Sequence, residues 1–237
     1  MGLRIFETDP EAAPKPRQRY ADDLVGRFRS GYQINGRPAT LTEWRVTTGD
    51  PDVSERIREM FGGDPAQEWE TKGEDTLEVF TQAAKVRIIL DGPSAIRQEM
   101  VLWGRNNNAI RKCDGIEQSL DADKGKPCEC PASFTERKDA AKAGKGCGPN
   151  ITVYFRLADD PDLGRFRFTS GSWSLVRDLV ATEEALEGID GEAVAWLGLE
   201  VVEFGEGRDK KKFTKPVIDV IGAYKPKSRP ADEEPPF

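Results

Sequence analysis

Four cysteines carry the densest chemistry in this sequence. Fourteen residues separate Cys113 from Cys128, one separates Cys128 from Cys130, and sixteen separate Cys130 from Cys147. A reducing compartment disfavours disulfides between them. Four thiolates placed about 2.3 Å from one ion at tetrahedral angles make a structural zinc site. Four sulfurs leave no open position for water, so a catalytic zinc does not fit. Two Cys-x-x-Cys knuckles would be the stronger signal; here the one close pair is Cys-x-Cys. Pro127 and Pro131 flank that pair and can fix a tight turn, and Gly146 and Gly148 flank Cys147, where they let backbone amides approach the sulfur. The segment 113–147 has few aliphatic side chains besides Ile116 and Leu120, and Phe134 is its one aromatic. It cannot order itself by apolar burial. The expectation is structural Zn2+ on Cys113, Cys128, Cys130 and Cys147, with the metal in place of a core. The alternative is four unrelated thiols in a loose loop.

Other chemistry is narrow. The chain has no histidine, which removes the Ser-His-Asp triad, the Cys-His pair and imidazole ligation. Carboxylates, lysine and tyrosine remain, but no acidic pair is spaced for acid–base work, and there is no phosphate-cradling glycine loop. The expectation is a protein that is not an enzyme. The net charge is −7, where a protein that grips DNA phosphates alone carries a basic footprint. A protein partner is therefore favoured, with no membrane role: no run approaches a spanning length, and Met1–Phe6 lacks a signal-peptide core. The simplest location is the cytoplasm.

The elements around the cysteines read as an α+β fold, mostly antiparallel sheet with two or three short helices and the zinc-binding insertion. Pro10, Pro14 and Pro16 make residues 1–38 an extended arm, with Leu24, Val25 and Phe28 on one short helical face. Residues 39–224 form the core domain, interrupted by 113–147. Strands are expected over 41–47, 76–90, 152–157 and 165–169, with a hairpin turning at Asn106–Asn108. Asp50-Pro51 opens a helix with Val53, Ile57, Met60 and Phe61 inward, and Gly62 ends it. Ser172 caps a second, with Trp173, Val176, Leu179 and Val180 on one face. Residues 194–204 and 213–221 form a long hairpin. Residues 225–237 form a disordered tail.

Arg165-Phe166-Arg167-Phe168 could stack and pair with nucleic acid, though a half-buried strand is the commoner meaning. Arg208, Lys210, Lys211, Lys212 and Lys215 make a basic hairpin tip that could contact DNA weakly. Trp69 and Phe134 are candidate partner contacts because interfaces favour aromatics.

Met1–Thr8 (MGLRIFET), Arg19–Phe28 (RYADDLVGRF) and Glu43–Pro51 (EWRVTTGDP) resemble the recombination directionality factors of temperate actinophages. The resemblance implies a partner, a large serine integrase bound to attachment-site DNA. It implies that the factor activates excisive recombination between prophage ends (attL × attR) and inhibits integration (attP × attB). The integrase supplies the nucleophilic serine, and the factor shifts its choice of DNA complex through differential affinity alone. The resemblance assigns the choice to a coiled-coil arm of the integrase and names no docking residue here; our own expectation is that the factor docks near the base of that arm. The rival readings are a zinc-containing nucleic-acid-binding protein of phage DNA metabolism and a phage enzyme using carboxylates with a divalent metal.

Overall fold

The structure is a computed structural model that describes residues 24–34, 37–205 and 211–226. Eleven strands form one sheet: β1 (Leu24–Ile34), β2 (Arg37–Thr48), β3 (Gln67–Glu68), β4 (Leu77–Phe80), β5 (Lys85–Leu90), β6 (Ile96–Trp103), β7 (Ala109–Cys113), β8 (Gly148–Leu157), β9 (Arg165–Ser170), β10 (Ala193–Phe204) and β11 (Lys211–Ala223). Three α-helices accompany them among the described residues: α1 (Pro51–Phe61), α2 (Phe134–Lys142) and α3 (Trp173–Glu187). The main path runs β11-β10-β5-β8-β9-β1-β2-β4-β3, and β6 branches from β8 to carry β7. Every pairing is antiparallel except β1 with β9. The expected α+β, mostly antiparallel class is what the chain adopts.

Period-two burial explains the central strands. On β8, Ile151, Val153, Phe155 and Leu157 face inward, and on β9 Phe166 and Phe168 do, with Arg165 exposed. The Arg-Phe repeat is therefore a half-buried strand.

The N-terminal expectation fails from Leu24 onward. Residues 24–34 are not part of an arm but a strand inside the sheet, between β9 and β2. Leu24, Gly26 and Phe28 point into the core, so Leu24, Val25 and Phe28 do not share a helical face. The missing signal is glycine. Gly26 occupies the alternating apolar position, where a Cβ would sit 3.0 Å from the Thr47 carbonyl oxygen and 3.1 Å from the Phe166 ring. The rest of the arm, residues 1–23, lies outside the described residues, as do residues 227–237 of the expected tail.

α1 begins as expected. The Asp50 carboxylate accepts from the Asp52 N–H at 2.9 Å and the Val53 N–H at 3.5 Å, Pro51 opens the first turn, and Gly62 at φ 70 closes the helix. Val53 and Ile57 are buried, while Met60 and Phe61 pack at the edge of the core. Asp50→Ala should cost about 1 kcal/mol of global stability, read as a lower urea midpoint at unchanged slope. Asp50→Ser, which keeps a capping oxygen, should restore most of it.

α3 starts at Ser172 and stops at Gly188 as expected, but it buries Leu175, Leu179, Thr182 and Leu186. Val180 is 59% exposed. The true stripe steps by four, three and four residues; Trp173 sits at its rim, turned toward α2.

Candidate metal centre

β6 lies between β7 and β8, with Met100 opposite both Cys113 and Pro149. This register puts Cys113, the last residue of β7, and Cys147, the residue before β8, on either side of one strand. The intervening chain returns twice to that point. Its first excursion is a small hairpin, in which Cys128 N–H donates to the Ile116 carbonyl at 2.7 Å and Gln118 N–H to the Lys126 carbonyl at 2.8 Å. Its second is α2, capped by Ser133 on the Glu136 N–H.

The four sulfurs lie within 4.8 Å of one another, and none is in a disulfide. Cys113 and Cys147 are buried, and Cys128 and Cys130 are half-buried. The Cys128 and Cys113 sulfurs are 3.2 Å apart. A zinc–thiolate tetrahedron with bonds of about 2.3 Å has edges of roughly 3.8 Å, so closure on an ion needs only shifts within the cluster. Hydrogen-bond donors reach the sulfurs, ready for the charge that four thiolates would bring. Cys130 N–H donates to the Cys128 sulfur at 3.4 Å and Cys147 N–H to the Cys130 sulfur at 3.3 Å. Arg111, paired with Glu129, favours the thiolate form of Cys130.

Burial pushes the Cys128 thiol up to about 11 and raises that of Cys147 as well. Burial also opposes ionisation of Cys130, but the Cys147 N–H, the neighbouring sulfurs and Arg111 outweigh it and hold that thiol below its ordinary value. A cation of sufficient charge would deprotonate all four outright. The residues fit a closed, four-thiolate metal site.

Apolar burial does little to hold the segment. α2 buries none of its residues. Arg137 clamps the two excursions together, donating to the Pro131 carbonyl at 3.0 Å and to the Gly115 carbonyl at 2.9 Å. Phe134 meets the Trp173 ring edge-on at 5.3 Å and carries the Arg177 guanidinium at 4.6 Å. Phe134 therefore tethers α2 to α3 and is not a free partner contact. The helix itself escaped the sequence reading, although Ser133 and Glu136 have the spacing of a capping box.

The other candidates separate. Trp69 is half-buried, its indole N–H donates to the Asp75 carbonyl at 2.6 Å, and its ring lies under Arg45. At the basic hairpin, residues 206–210 lie outside the described residues. Lys215 is balanced by Asp178 at 3.5 Å and Glu200 at 3.6 Å, so it adds little free positive charge.

No helix among the described residues is long and apolar enough to cross a membrane, and no solved structure matches the chain. A family model, Gp3-like, described as recombination directionality factor-like, matches residues 25–221. The match begins within β1, ends within β11 and includes the whole cysteine segment. The chain belongs to this recombination directionality factor-like family.

Proposed function

We propose that this protein binds a large serine integrase in complex with attachment-site DNA, drives it toward excisive recombination of attL with attR, and suppresses joining of attP with attB. The single observation that carries the reading is the family match over residues 25–221. The family is regulatory. The protein contributes binding free energy and no bond chemistry, acting in the cytoplasm of the bacterial host. The integrase must sample competing arrangements, and the factor biases them by binding one more tightly. Zn2+ on Cys113, Cys128, Cys130 and Cys147 is structural, holding residues 113–147 against β6.

The test is a recombination assay with the cognate integrase on paired substrates. Adding the purified protein should switch on attL × attR product and reduce attP × attB product. An unchanged product ratio at saturating protein would refute the proposal. A gel shift on attachment-site DNA without integrase separates the zinc-containing nucleic-acid-binding alternative. Tight binding that weakens steeply with salt would favour that rival.

A further inference from the structure

The sheet face opposite the core carries arginines where the core face carries phenylalanines. Arg27 and Arg29 on β1 lie across from Thr47 and Arg45 on β2. The loop after β3 folds over them and brings Trp69 and Asp75 down. Asp75 is buried, pairs with Arg27 and accepts from the Thr47 hydroxyl at 3.2 Å. Beside this cluster opens a groove of about 960 Å³, lined by Arg29, Tyr32, Thr40, Arg45 and Trp69, with Glu70 and Glu78 also in its wall.

The groove is built from fixed parts. Arg45 donates from Nε to Glu78 at 2.6 Å, and its guanidinium sits 4.4 Å from the Trp69 ring. Tyr32 is braced edge-on against Phe80 at 5.7 Å. A β-bulge between Arg29 and Gly31 re-aims the outer half of the β1–β2 hairpin as one wall. Gly31 permits that bend, since a Cβ there would come 2.7 Å from the Ala39 carbonyl oxygen.

Of the two arginines in the groove, Arg29 is the less compensated. Its Nε donates to the Thr47 hydroxyl at 2.9 Å, and its nearest carboxylate, Asp75 at 3.8 Å, is already engaged by Arg27. Burial, and then the like charge of Arg45, lower its pKa from the ordinary value. A carboxylate on the open side of Arg29 would relieve that repulsion and gain a charge-assisted hydrogen bond. Arginine, tyrosine and tryptophan in one preorganised concavity are the residue types that dominate binding energy at protein interfaces. The acidic wall residues and the chain's net charge of −7 oppose a continuous polyanion such as DNA. A single carboxylate beside an apolar side chain fits the lining.

We propose that this groove is a docking site for an acidic segment of the protein partner, with Arg29 anchoring a carboxylate and Trp69 and Tyr32 packing on its apolar neighbour. The inference rests on the integrase reading above. Two variants test it. Arg29→Gln removes the charge and keeps a donor for Thr47. Thr40→Glu places a repelling charge on an exposed wall position, where folding is indifferent to it. Affinity for the cognate integrase should fall about tenfold or more in each, with thermal midpoint and metal content unchanged. A labelled 30-base-pair attachment-site duplex, without integrase, is the parallel probe, and it should show no dependence on Arg29. Wild-type affinity in Thr40→Glu would overturn the groove and leave the integrase reading standing. Failure of the wild-type protein to bind the integrase would overturn both. Loss of duplex binding in Arg29→Gln with integrase affinity intact would replace the carboxylate by a phosphate and overturn the proposal.

Discussion

Replacing Cys147 with serine should release the metal and unfold residues 113–147 while leaving most of the sheet standing. The asymmetry comes from what each part buries. The sheet encloses Phe28, Trp44, Phe155, Phe166 and Phe168, a core that owes nothing to the cysteines. The cysteine segment has short-range turn and hairpin bonds, two arginine-to-carbonyl bonds and an aromatic tether, but α2 buries no residue, so little apolar burial offsets the entropy of ordering its backbone. A structural metal ties four points of the segment together at once, and its binding free energy becomes local folding free energy. Elemental analysis should give one zinc per wild-type chain and none in Cys147→Ser. Limited proteolysis should cut the variant, or the chelated wild type, between Cys113 and Cys147, while near-ultraviolet circular dichroism from the aromatic core persists. Acid should act in the same direction. The ligands must be deprotonated, so protons compete with the metal as pH falls, and release should be reversed on neutralisation with zinc present. A metal-free wild-type chain that resists proteolysis in this segment would show that the protein alone orders it.

The same contrast explains what could be read from residue order. The gathering of the four cysteines was legible because it involves few atoms of one type, and the composition around Cys113–Cys147 leaves too little apolar surface for a core to organise them. The α1 boundaries were legible because Asp50, Pro51 and Gly62 act locally. What escaped depends on distant partners. Gly26 reads as a break in the β1 pattern until the Phe166 ring is known to press against it. The Arg29–Arg45–Trp69 groove joins three separate stretches of chain, and no spacing rule links them. Trp173, Val176 and Val180 step by three and four residues, so periodicity alone puts Val180 on one buried face of α3 with Leu179. Packing chose the neighbouring stripe, where the Thr182 hydroxyl donates to the Ile218 carbonyl at 3.2 Å.

β1 supplies the second large effect. Phe28→Ala should destabilise the fold by about 3–5 kcal/mol, the upper range for a buried aromatic. Phe28 is 2% exposed and meets the rings of Trp44, Phe61, Phe155 and Phe166 edge-on at centroid distances of 5.7, 6.4, 5.3 and 5.5 Å. Each such pair is worth about 0.5–1.5 kcal/mol beyond its buried area, so truncation removes several terms together and leaves a cavity between strands that cannot easily close. Domains of this kind have about 5–15 kcal/mol in total, so the variant should show a much lower urea midpoint at similar slope. Val180→Ala, on the exposed side of α3, should change stability by no more than about 0.5 kcal/mol. The pair decides between two placements of the N-terminal segment. An arm laid over a finished domain would lose little when one aromatic is trimmed, whereas a strand inserted between β9 and β2 is a wall of the core. A Phe28→Ala midpoint close to wild type would mean that residues 24–34 do not sit where the sheet places them.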